Sequence, residues 1–145
     1  MEFLPQYATI TVQIVTEVIN GWQQGSDMTR DMEVVRKILL GMEARENDDS
    51  PIEVGECDEA TFYFHVWLMS EAELITVMDG RTRADPNRLY PRHITWKGYD
   101  FLDSARSESV WRETLSKIGS AVGTVAFSVL LESLKDATMR KLGLR

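Results

Sequence analysis

The stretch DEATFYFHVWLMSEAELITVMDGRTRADPNRLYPRHITWKGYDFL, Asp58 to Leu102, decides how the rest of the chain is read. Asp58 is a good helix cap, and the apolar residues after it run to Ala72-Glu73-Leu74-Ile75 without a turn signal. Two β-rich segments follow, Leu74 to Met78 and Tyr90 to Trp96. They flank a loop with Asp79-Gly80 and Asp85-Pro86-Asn87, which is turn chemistry at both ends of a hairpin. The stretch closes on Thr95-x-x-Gly98-x-x-Phe101-Leu102, where helical spacing resumes. The predicted order is helix, hairpin, helix.

The helix has an unusual surface. With Leu68 as reference direction, a step of about 100° per residue puts Thr61, Phe64, His65 and Ala72 on the side expected to pack inward. Phe62, Tyr63, Val66 and Ser70 fall opposite, flanked by Trp67 and Met69. A DNA-reading helix would present this face to the groove, yet it has no Arg, Lys, Asn or Gln to read base edges. Rings of this size each bury about 150–250 Å², so the face needs a cover. Three covers are open: an N-terminal helix, a second copy of the chain, or a foreign protein.

Outward from this stretch, Thr29 is a candidate cap for a helix with the stripe Met32, Val35, Ile38, Leu39 and Met42, and Glu33 is spaced to pair with Lys37. Asn47-Asp48-Asp49-Ser50-Pro51 reads as a loop, and Ile52-Glu53-Val54 as a short edge strand. Farther upstream, Tyr7, Ile10, Ile14, Val15, Val18, Ile19 and Trp22 recur at helical spacing after Pro5, against a competing strand over Thr9 to Ile14. Downstream, a helix from Ser107 carries Val110, Trp111, Leu115 and Ile118. A last helix, capped by Thr124, places Val125, Val129, Leu130 and Leu134 on one face and ends near Gly143. The expected fold is α+β, mainly α: a winged-helix-like core over residues 28–103, an appended N-terminal helix over 1–27, and two C-terminal helices over 104–145 packed on the core.

At 145 residues the chain is the size of one domain. Its lone Cys57 forms no internal disulfide, and no apolar run approaches the roughly 18–20 residues of a membrane span. With no signal-like start at Met1-Glu2-Phe3, a cytoplasmic protein is expected. The net charge of −7 is segregated: Glu43 to Glu59 holds eight acids against Arg45, so the remainder sums to zero. Within that remainder, Arg81, Arg83, Arg88, Arg92 and Lys97 against Asp85 make the hairpin region +4. If four of these cations neutralised phosphates, log K would fall with log salt at a slope near about −3.6.

The residues Arg30-Asp31-Met32, Val35-Arg36-Lys37-Ile38-Leu39-Leu40, His65, Leu68, Ala72, Leu74-Ile75, Thr95-Trp96-x-Gly98-x-x-Phe101-Leu102-Asp103 and Trp111 resemble an uncharacterised bacterial and phage family, domain of unknown function 2513. The resemblance covers about Met28 to Gly143. It implies a winged-helix-like fold in a mobile-element setting and brings no established activity or catalytic residue. Glu73 stands where the family pattern has Gly after Ala72, and residues 1–27 lie outside the match.

The candidates for chemistry are few. His65 on a packing face reads as a satisfied interior histidine, and Cys57 with His65 or His93 lacks metal-ligand spacing. The acids of 43–59 lie in a polar loop without apolar shelter, and Gly119 to Thr124 lacks the Lys of a phosphate loop. No metal, cofactor or catalytic residue is expected. The reading is a non-enzymatic protein-binding factor, regulatory or host-interacting, that uses Phe62, Tyr63, Val66 and Trp67. Its alternative is a DNA-binding transcriptional regulator, a homodimer in that case, contacting DNA through Arg81, Arg83, Arg88, Arg92 and Lys97.

Overall fold

The computed structural model describes residues 28–119 and 126–144. The expected helix over Pro5 to Trp22 and the proposed Thr124 cap lie outside the described residues. Helix α1 spans Met32–Ala44, α2 Glu59–Glu71, strands β1 Ile75–Asp79 and β2 Leu89–Ile94, and helices α3 Trp96–Ala105, α4 Glu108–Ile118 and α5 Phe127–Lys141. The described chain is therefore mainly helical, with one two-stranded antiparallel sheet. Ile75 pairs with Ile94 and Asp79 with Leu89, and a bulge falls between Thr76 and Val77. Pro91 lacks the N–H that a regular ladder would use at this place.

Caps account for most element ends. Asp31, not Thr29, caps α1 by accepting from the Glu33 N–H, and Asp58 caps α2 by accepting from the Thr61 N–H. That bond holds the Asp58 carboxyl below the usual carboxylate range. Ser107 caps α4, whereas Ala126 precedes α5 with no side-chain cap. Helix α5 ends at Gly143, φ +71°, where the Leu144 N–H returns to the Met139 carbonyl.

The same closure ends α2, with a glutamate in the glycine position. The Leu74 N–H donates to the Met69 carbonyl and the Glu73 N–H to that of Ser70, which makes a Schellman turn. Glu73 takes φ +60°, and no other non-glycine among the described residues has positive φ. The departure from the family pattern at Glu73 thus leaves the turn intact at a cost in strain.

Helix α3 is bolted to that turn. The Thr95 Oγ accepts from the Gly98 N–H at 3.0 Å and donates to the Glu73 carbonyl at 2.5 Å, while the Thr95 N–H donates to the Leu74 carbonyl at 3.0 Å. A Cβ at Gly98 would stand 2.0 Å from the Leu74 carbonyl oxygen, so only glycine fits. One turn on, Phe101 and Leu102 enter the core with no exposed surface.

One core runs through all the described helices. Val35, Ile38 and Leu39 of α1 meet Val66 and Met69 of α2, Phe101 of α3, Trp111 of α4 and Leu134 of α5. Several expectations are corrected here. Ile52-Glu53-Val54 forms no strand; the segment crosses α1 at Gly41, where a Cβ would meet Ile52 Cγ2 at 2.6 Å. Trp96 begins α3 instead of ending β2, and Val129 is exposed while Ala137 joins Leu130 and Leu134 inside. Glu33 pairs with Arg36 at 3.7 Å rather than serving Lys37.

Two substitutions test this corner by urea unfolding. Gly98→Ala should lose about 3 kcal/mol, because backbone must move to admit the methyl. Glu73→Gly should gain about 0.5–1 kcal/mol with an unchanged slope, since relief of left-handed strain exceeds the added entropy of the unfolded chain.

Candidate functional site

Helix α2 is apolar on nearly every side, and its buried face is set by His65, Val66 and Met69, with Phe62 half-buried beside them. Relative to the Leu68 reference, the wheel is turned by about 100°. Val66, expected on the interaction surface, is fully buried and belongs to the core. Phe62 is half-buried and packs against that core. The face left outward carries Ala60, Tyr63, Phe64 and Trp67, of which Trp67 remains 45% exposed.

His65 orients the helix. Its Nδ1–H donates to the Thr61 carbonyl at 2.8 Å, and its Nε2 accepts from the Asp31 N–H at 2.8 Å. Both nitrogens are engaged, so the ring is neutral with the proton on Nδ1. It is a structural tie between α2 and the start of α1, as expected for a satisfied interior histidine.

A groove of about 320 Å³ lies between this outward face and the hairpin, lined chiefly by Met28, Tyr63, Phe64, Trp67, Arg81 and Leu89. The structure thereby brings Tyr63 and Trp67 together with one of the hairpin arginines. A second groove, about 390 Å³, opens on the other side of Tyr63 between Phe62, Met78, Tyr90 and the loop around Pro51. Burial pushes the Tyr63 hydroxyl above its ordinary pKa, and the Arg88 guanidinium lies 5.3 Å over its ring.

The hairpin cations are mostly spent within the protein. Arg81 forms a two-pronged pair with Asp79, Nε to Oδ1 at 2.9 Å and Nη2 to Oδ2 at 2.7 Å. Arg88 bridges Asp85 and, at 2.6 Å, Glu59. Arg92 reaches Asp49 at 3.2 Å and Asp48 at 3.9 Å. The acidic and basic blocks of the sequence therefore fold onto one another. Arg83 and Lys97 are exposed, and their side chains make no hydrogen bond or ion pair among the described residues.

Two features escaped the sequence. Arg36 is buried, donating to the carbonyls of Ala105 at 2.7 Å and Arg106 at 3.3 Å, pairing with Glu108 at 2.9 Å, and lying 5.4 Å over the Trp111 ring. The signal was an arginine adjoining the apolar stripe of α1. Trp96 is 85% exposed at the first turn of α3. Burial, then Asp58, raises the pKa of the Cys57 thiol, away from the thiolate a nucleophile needs. No group of three His, Cys, Asp or Glu side chains among the described residues has metal-binding geometry, and no described helix is long and apolar enough to cross a membrane.

Fold and site together define an α+β, mainly helical domain with a ring-lined groove between a helix and a hairpin. The chain belongs to the family described as Hypothetical protein (DUF2513), whose model matches residues 29–124. It is 29% identical over 96 residues to an uncharacterized protein of Haemophilus influenzae (strain ATCC 51907 / DSM 11121 / KW20 / Rd), covering 64% of this chain and 80% of the relative. No solved structure matches.

The Asp79–Arg81 pair has a pH signature. Hydrogen bonds from Arg81 hold the Asp79 carboxyl at about 2, against 3.8 for the free group. A lowered folded-state value stabilises the hairpin above the free group's pKa, and that contribution is lost as pH falls through about 2. Carboxyl-detected NMR titration should show Asp79 near 2, and Arg81→Gln should return it toward 3.8.

Proposed function

We propose that this protein is a non-enzymatic protein-binding factor on a winged-helix-like scaffold, and that its partner inserts an apolar side chain into the groove between α2 and the hairpin. The observation carrying this reading is Trp67, which stays 45% exposed beside Tyr63, Phe64 and Leu89 in a concave apolar site. Aromatic enrichment in a water-excluding pocket is the usual anchor of a protein interface. The polar chemistry of an enzyme finds less support. His65 has both nitrogens engaged in holding helices together, and burial raises the pKa of the Cys57 thiol.

DNA binding through the hairpin is the weaker reading, because Arg81, Arg88 and Arg92 already face carboxylates. Of the five hairpin cations, only Arg83 and Lys97 would meet phosphate without first breaking an ion pair made among the described residues. Two phosphate contacts give a salt slope near about −1.8 in place of −3.6, a weak non-specific affinity.

The test is capture from host lysate on immobilised protein. Trp67→Ala should lose the captured protein, whereas Trp96→Ala, a larger exposed ring outside the groove, should keep it. Capture should persist in high salt. Loss in both variants, or retention in both, overturns the groove as the site. A gel shift with slope steeper than about −3, abolished by Arg83→Glu, would favour DNA instead.

A further inference from the structure

The groove has a candidate occupant within the chain. Residues 1–27 join the described structure at Met28, and Met28 itself lines the groove. Three residues on, the chain is pinned: the Asp31 N–H is held by His65 of α2, and the Asp31 carboxylate caps α1. The junction with residues 1–27 is thus anchored to α2 beside Tyr63 and Trp67.

The chemistry of the two partners matches. Residues 1–27 contain the acids Glu2, Glu17 and Asp27 and no Lys or Arg, while Tyr7, Ile10, Ile14, Val18 and Trp22 recur at helical spacing. The groove offers apolar walls; Arg81 on its lining is paired with Asp79, and Arg83, two residues away, has no ion pair among the described residues. Apolar side chains meet apolar walls, and an acidic segment approaches the exposed Arg83. Only Gln23 to Asp27 separates the apolar segment from the groove, and a tether that short presents its cargo at an effective concentration on the order of mM. A fit too weak to hold a free peptide then suffices.

We propose that residues 7–22 of this chain occupy the groove between α2 and the hairpin as a resident cover that a protein partner must displace. The proposal rests on the groove being the binding site and adds its regulation: the cover lowers apparent affinity by the fraction of molecules in which the groove is filled.

The test is a photo-crosslinker, p-benzoylphenylalanine, placed at position 67 of the full chain and irradiated in purified protein without any partner. The expected product is an adduct within one chain, mapped to residues 7–22 by mass spectrometry. Its yield should not change over a roughly hundredfold range of protein concentration. Ile14→Asp with Val18→Asp should lower it by at least about fivefold. Placing the crosslinker instead at Ala60, which also lines the groove, repeats the measurement should the first variant fold poorly. An adduct between two chains that grows with concentration, an adduct elsewhere in the chain, or none at either position overturns the proposal. Lysate capture is read separately: an internal adduct with capture indifferent to Trp67→Ala leaves the cover standing and removes the partner site, and the reverse pattern removes the cover alone.

Discussion

The approach of α3 to the turn after α2 is the contact on which the rest of the structure depends. Gly98 lies flush against the Leu74 carbonyl, and Thr95 ties its own backbone and hydroxyl to Leu74 and Glu73. That corner fixes three things at once. It starts the ladder at Ile75 opposite Ile94, it aims Phe101 and Leu102 into the core, and it sets how the hairpin leaves α2. The last sets the path of the hairpin back along α2, whose first turn it meets again where Arg88 reaches Glu59 at 2.6 Å. A groove between two elements is defined by the contacts that hold its walls at either end, here Gly98 against Leu74 and Arg88 against Glu59.

A second node, Arg36, holds the C-terminal helices to the same core. A buried guanidinium is costly unless its donors are met, and here they are met by the carbonyls that end α3 and by Glu108 at the start of α4. The planar charge serves both ends of a tight α3–α4 connection while stacking on Trp111, whose indole N–H turns to Glu33. Lysine, a point charge without the fork, would leave part of this set unmet. At the far end, Lys141 of α5 reaches Ser107 and Ser109 at the start of α4, which closes the antiparallel pair.

Much of the fold was legible where local chemistry and the final structure agree. The Asp58 cap, the helical run from Ser107, the turn residues bounding the hairpin, the stripe on α1 and the motif from Thr95 to Leu102 each act over a few residues. What could not be read was the rotation of α2. From Phe62 to Met69 only His65 is polar, so periodicity supplies no preferred direction, and any reference residue gives an arbitrary wheel. The direction comes instead from a bond to Asp31, the cap of another helix, 34 positions away. Val66 went to the wrong side for that reason, while Tyr63 and Trp67 stayed outward under either rotation. Ile52 to Val54 was misread as a strand because its alternation fits one; its place is set by Gly41, whose missing side chain lets the segment cross α1.

The same long-range logic governs the charges. In sequence, an acidic block and a basic block look like two independent features, one a solvated loop and the other a phosphate contact. In three dimensions Asp48, Asp49 and Glu59 are the counterions of Arg92 and Arg88. Surface pairs of this kind contribute little stability singly, about 0–1 kcal/mol. Their consequence is for recognition. A phosphate approaching Arg88 or Arg92 competes with a carboxylate already in place and gains only the difference, whereas an apolar side chain entering beside Trp67 breaks no ion pair. The balance of free energies on this surface favours a ligand recognised by its shape and greasiness, with charge left to orient it.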